Sequence, residues 1–82
     1  MSSKRTLHGV LWFTLDDDSK KQVYVYKRGR SITLDDGGHP LGKIVVHPSN
    51  EATVEGWVRE YKLCRPSLKI KDYVFLLPDD KP

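Results

Sequence analysis

Apolar residues crowd the stretch from Leu7 to Leu15, and residues 22–28 read Gln-Val-Tyr-Val-Tyr-Lys-Arg, a β-branched and aromatic mixture typical of strands. Six polar residues, Asp16 to Lys21, separate the two runs, which predicts a β-hairpin with a slightly long loop. Side chains alternate across a strand, so Leu11, Phe13 and Leu15 share one face of the first strand, and Val23 and Val25 share one face of the second. Those faces are the expected core sides. The opposite faces then carry His8, Val10 and Trp12, with Tyr24, Tyr26 and Arg28, more aromatic surface than an idle outer face needs. Gly29 permits a bend, and Ser31 to Leu34 reads as a short strand. Asp35-Asp36-Gly37-Gly38 is a turn signal, because glycine reaches positive φ without steric cost. Lys43 to His47 is a candidate fourth strand.

The pattern changes at Pro48. Val54, Trp57, Val58 and Tyr61 recur at i, i+3, i+4 and i+7, which predicts an amphipathic helix over about 50–62 with Ser49 as N-cap and Glu51 near the positive end of the dipole. Gly56 costs such a helix roughly 1 kcal/mol relative to alanine, so packing of Trp57 must hold it, and close approach to the sheet is the expected reason for the glycine. Pro66 stops the helix. Leu68 to Leu77 begins with alternation and ends as a continuous apolar run, which predicts a final, largely buried strand. The expected architecture is α+β in the order β-β-β-β-α-β: a small antiparallel sheet of four to five strands with one helix on one face. Its core would hold the helix stripe with Leu11, Phe13, Val23, Val25, Ile44 and Val46.

Eighty-two residues make one domain, spanning 1–82, with flexible tails expected at 1–6 and 78–82. A domain this small has little room for a deep internal site beside its core, so function is expected on the surface. Cys64 is the sole cysteine and cannot form an internal disulfide, which points to a reducing compartment. The apolar stretch after Met-Ser-Ser-Lys-Arg-Thr is too short and too polar for a signal or membrane segment. A cytoplasmic location without membrane attachment is expected.

Catalysis is not expected. The sequence holds no H-E-x-x-H, C-x-x-C, G-x-S-x-G or P-loop pattern, and Asp16-Asp17-Asp18-Ser lacks the ligand spacing of a calcium loop. His8, His39 and His47 are scattered, and nothing fixes a Cys64 and His47 nucleophile pair; the plain reading of Cys64 is a small, partly buried hydrophobe after the helix. No metal or cofactor is expected. The net charge of +3 is mildly basic. Its distribution matters more: Lys27, Arg28 and Arg30 form one basic cluster, and Arg59, Lys62, Arg65, Lys69 and Lys71 form another.

The stretch Ala52-Thr53-Val54-Glu55-Gly56-Trp57-Val58-Arg59-Glu60-Tyr61-Lys62-Leu63 resembles the Thr-Val-x-x-Trp-Val-Arg-Glu segment of winged-helix excisionases and MerR-like DNA-binding domains. Residues 65–69 and 72–75 loosely resemble the wing of that family. The resemblance covers about a third of the chain, residues 49–75. It implies a winged helix with an N-terminal β-hairpin extension as the alternative fold, with a helix in the major groove and a basic wing beside it.

A non-enzymatic binding module is therefore expected, with nucleic acid preferred as its target and a protein partner as the alternative. The first is a nucleic-acid-binding accessory or regulatory protein that uses Lys27, Arg28, Arg30, Arg59, Lys62, Arg65, Lys69 and Lys71 against phosphate, with Tyr24 and Tyr26 stacking on bases. The second is a protein-interaction module, an inhibitor or adaptor, that docks through Trp12, Tyr24 and Tyr26 or through a sheet edge.

Overall fold

The computed structural model describes residues 6–37 and 42–79. The turn glycine Gly38, His39 and most of both expected tails lie outside these residues. Five antiparallel strands are formed: β1 (Thr6–Leu15), β2 (Lys20–Arg28), β3 (Ser31–Asp35), β4 (Lys43–Val45) and β5 (Ile70–Leu76). Their spatial order is β4-β3-β2-β1-β5, and one helix, α1 (Val54–Cys64), packs on one face. This is the α+β arrangement expected from the polar and apolar pattern. The segment ahead of α1, Lys43–Val45, pairs with β3 as a strand.

The β1–β2 loop is tighter than the run of polar residues suggested. It spans Asp16 to Ser19, because Leu15 N–H donates to the Ser19 carbonyl at 2.9 Å and Asp18 takes a φ of 67°. The Asp17 carboxylate accepts from the Ser19 hydroxyl at 2.6 Å and from its N–H at 3.0 Å, which lowers its pKa and closes the turn. Lys20 and Lys21 thus begin β2. At the next turn Arg28 pairs with Ser31 around the two residues Gly29 and Arg30, and Gly29 supplies the φ of 60° that so short a connection needs.

Helix α1 starts later than its apolar period suggested. Pro48–Asn50 forms a separate 3-10 turn, and Ser49 lies inside it with its N–H donating to His47 Nδ1 at 3.1 Å. The N-cap of α1 is Thr53, extended at φ −133°, whose hydroxyl accepts from Gly56 N–H at 3.0 Å. A side chain at position 56 would collide with the Asn50 backbone, so glycine is required by the 3-10 turn rather than by the sheet.

Leu11, Phe13, Val23, Val25, Ile32, Leu34, Ile44 and Val46 line the sheet's inner face and meet Trp57, Val58 and Tyr61 of α1. The Phe13 and Tyr61 rings stack with centroids 5.0 Å apart, and Trp57 sets its edge against Phe75 at 5.3 Å. The Trp57 indole N–H donates to the Glu51 carbonyl at 2.9 Å, which fastens α1 to the segment before it. One inner-face residue was assigned to the other side by simple alternation. A bulge between Leu7 and Gly9 adds a residue to β1, and His8 consequently turns inward, stacking on Phe75 at 5.6 Å and meeting Trp57 at 5.9 Å. Gly9 beside it has no room for a side chain, since a Cβ would sit 2.6 Å from the Leu76 carbonyl.

β5 is not the buried strand that its apolar run predicted. It pairs with β1 alone at the border of the sheet, with Val74 exposed and Tyr73, Phe75 and Leu76 half-buried. Cys64 is likewise exposed, as the last residue of α1, rather than partly buried.

Candidate functional site

With α1 on one side, the opposite face of the sheet has no covering element among the described residues. Alternation along the strands fixes what it presents. One cross-strand row runs Leu76, Val10, Tyr24, Asp35, Lys43; a second holds Val74, Trp12 and Gln22; a third runs Leu7, Tyr26, Thr33, Val45. Val10 and Thr33 are buried at its floor by their neighbours. Four of the exposed large hydrophobic residues of the described chain lie on this face: Leu7 at 36% exposure, Tyr24 at 38%, Val74 at 44% and Val45 at 71%. The aromatic residues singled out from sequence, Trp12, Tyr24 and Tyr26, occupy the two central strands and point away from the helix.

Trp12 differs from Trp57 in one respect. Its indole Nε1 is shielded from solvent and has no hydrogen-bond partner, whereas Tyr24 keeps its hydroxyl in weak contact with Gln22 Oε1 at 3.4 Å. Charge is confined to the rim. Lys20, Arg28 and Lys43 stand at the margins with Asp35 and Asp72, and Lys20 Nζ donates to the Thr14 hydroxyl at 2.7 Å.

The basic residues divide among separate surfaces. Arg28 shares the open face with Tyr24 and Tyr26, two and four residues before it. Lys27 and Arg30 lie on the helix side, where they line a shallow pocket of about 320 Å³ with Ile32, Glu51 and Trp57. Arg59 and Lys62 flank a groove between α1 and β5. Lys69 is exposed just before β5, and Lys71 pairs with Asp18 at 2.9 Å across the β1–β2 loop. Arg65 serves the fold: its Nε donates to the Asp36 carboxylate at 3.0 Å, and the Tyr61 hydroxyl donates to the same oxygen at 3.0 Å. Burial, then the bond to Asp36, pushes the Tyr61 hydroxyl well above its ordinary pKa.

No family model, curated protein or solved structure matches this chain. The reading of its surface therefore rests on its own residues.

The aromatic half of the open face was visible in the sequence, and of the aliphatic half only Val10 was. Val45, Val74 and Leu76 join it through the pairing of β4 and β5. Alternation in Lys43 to His47 offered the one local hint for Val45, while Val74 and Leu76 were hidden in a continuous apolar run. Together these side chains form a largely apolar platform. Such a surface is suited to burying area against a partner. His8 is held between Phe75 and Trp57, and His47 Nδ1 is engaged by Ser49, so neither faces the platform.

Proposed function

We propose that the chain is a non-enzymatic binding module that docks a partner protein on the sheet face opposite α1. The concentration of Leu7, Tyr24, Val45 and Val74 on one uncovered face carries this reading. Soluble domains seldom leave a contiguous apolar surface open unless something covers it. Aromatic and aliphatic residues at the centre with charges at the rim follow the usual anatomy of a protein interface, where Trp and Tyr supply much of the energy. Lys20, Arg28 and Lys43 outnumber Asp35 and Asp72 at the rim, and the chain is basic overall, so the partner that fits best has an apolar centre and an acidic border.

Single-stranded nucleic acid is the second reading, supported by the row of Tyr24, Tyr26 and Arg28 along β2. Stacked bases need accessible rings and a cation that tracks phosphate, and this row supplies both. Duplex DNA is the variant of this reading suggested by the winged-helix resemblance, for which Arg59 and Lys62 are exposed on α1. The protein partner is preferred because Lys27 and Arg30, next to Arg28 in sequence, lie on the other side of the sheet.

Fluorescence anisotropy with labelled single- and double-stranded DNA and RNA separates the two. At about 50 and 200 mM salt the proposal predicts no saturable binding to any of the four, whereas phosphate contacts would show as affinity that falls steeply with salt. Saturable binding lost in Arg28→Ala and Tyr26→Ala, in proteins that remain folded, would replace the protein-docking reading with the nucleic-acid one.

A further inference from the structure

The border of the sheet at β5 combines an unpaired strand with an adjoining groove. β5 pairs with β1 on one side, and no described strand pairs with its other side. Its seven residues, Ile-Lys-Asp-Tyr-Val-Phe-Leu, contain no proline that would spoil an added ladder. Charges that commonly guard such edges are confined to its first half, where Lys71 is tied back to Asp18 and Asp72 follows; Tyr73 to Leu76 carry none.

Helix α1 packs on the inner face of the sheet, with Tyr61 on Phe13 and Trp57 against Phe75 of β5. A groove of about 380 Å³ is left between them, with Val58, Leu63 and Tyr73 as apolar surfaces and Glu55, Arg59 and Lys62 along the helix wall. Among the described residues neither Arg59 nor Lys62 has an ion-pair partner, so the wall carries one positive charge beyond what Glu55 offsets.

We infer that the β5 edge takes an extended, acidic peptide segment as a sixth strand, with alternate side chains lowered into the α1–β5 groove. The outward N–H and C=O groups of β5 would supply main-chain hydrogen bonds, which give affinity largely independent of sequence, with the Asp72 carboxylate, which accepts from the Tyr73 N–H at 2.8 Å, giving way to the incoming strand at that position. Selectivity comes from the groove: a peptide side chain every second position meets Val58, Leu63 and Tyr73, and a carboxylate beside it meets Arg59 and Lys62. This site is on a different border of the molecule from the open face, and its failure leaves the platform reading intact.

The test uses the full chain and a capped hexapeptide of alternating valine and glutamate, followed by 1H–15N correlation spectra. The expected result is saturable shifts along β5 and α1, with a dissociation constant between about 1 mM and 1 μM. A charge reversal of both wall cations, Arg59→Glu with Lys62→Glu, should weaken binding at least tenfold in a protein that remains folded, since both side chains are exposed. An alternating valine and lysine peptide should bind at least tenfold more weakly. Methylating alternate peptide amides should abolish binding in one frame and spare it in the other, because only every second N–H of an added strand faces β5. Equal binding of both methylated frames would overturn the inference. So would shifts centred on Tyr24 and Val45, the same β5 shifts produced by an oligothymidylate, or no saturable shift up to about 5 mM peptide.

Discussion

The two tryptophans of this chain share a chemistry and differ in what their N–H groups do. Trp57 is buried, and its indole N–H donates to the Glu51 carbonyl; Trp12 is half-buried on the open face, and its N–H has no partner. An orphaned donor costs its desolvation, while a satisfied one leaves an acceptor stranded when it is removed. Trp57→Phe should therefore destabilise the fold by about 2 kcal/mol or more, from the lost bond and the space left against Phe75 and His8. Trp12→Phe should stay within about 1 kcal/mol of the parent, because it deletes an unmet donor along with some packing. Thermal unfolding followed by circular dichroism reads both; for a chain of this length about 1 kcal/mol moves the midpoint by roughly 4–8 °C. Equal losses for the two variants would refute the distinction. Neither behaviour was legible in the sequence, since an indole's partner depends on which backbone carbonyl the fold brings near it.

At the scale of elements, local pattern carried the strands and the helix stripe, and failed where a long-range contact decides. Val23 and Val25 alternate cleanly with Tyr24 and Tyr26, so the faces of β2 could be assigned from the sequence. The same counting misplaced His8, because one inserted residue in β1 reverses every side chain beyond it. Tyr73 to Leu77 reads as apolar whether the strand is central or at a border, and only its pairing with β1 puts it at the edge. Arg65 stands in a basic stretch yet binds Asp36, 29 residues earlier, so charge clustering in sequence overstated the basic surface.

The Tyr61–Asp36–Arg65 contact also makes a prediction about pH. Tyr61 holds its proton more tightly folded than unfolded, first through burial and then through the bond to Asp36. Below pH 10 both states keep that proton and the contribution to stability is whole. Above it the unfolded chain releases the proton while the folded chain retains it, so stability falls as pH rises. Urea unfolding between about pH 8 and 11.5 should show a steeper loss for the parent than for Tyr61→Phe, which has no proton to release there. Parallel pH profiles for the two would contradict this. Tyr24, Tyr26 and Tyr73 are common to both proteins and cancel in the comparison.

For the molecule as a whole, the sheet is covered by α1 on one face and, among the described residues, open on the other. Val10 and Thr33 are buried without any helix above them, because Trp12, Tyr24, Tyr26 and Val74 already crowd the floor of the platform. Of the basic residues expected to act together, Arg28 reaches this platform, while Lys27 and Arg30, Arg59 and Lys62, and Lys71 are distributed over three other surfaces. Among the described residues no helix is long and apolar enough to cross a membrane.

The most direct test of the platform is a comparison of complexes formed by charge-matched variants. Val45→Asp with Val74→Asp places two carboxylates on the open face; Ala52→Asp with Ser67→Asp adds the same charge at exposed positions elsewhere. Each tagged protein, first shown to unfold as cooperatively as the parent, is exposed to soluble extract of the cells that make it, and bound proteins are quantified at about 200 mM salt. The account predicts a stoichiometric partner retained by the parent and by the Ala52 and Ser67 variant, and lost from the Val45 and Val74 variant. A partner held equally by both variants would contradict it.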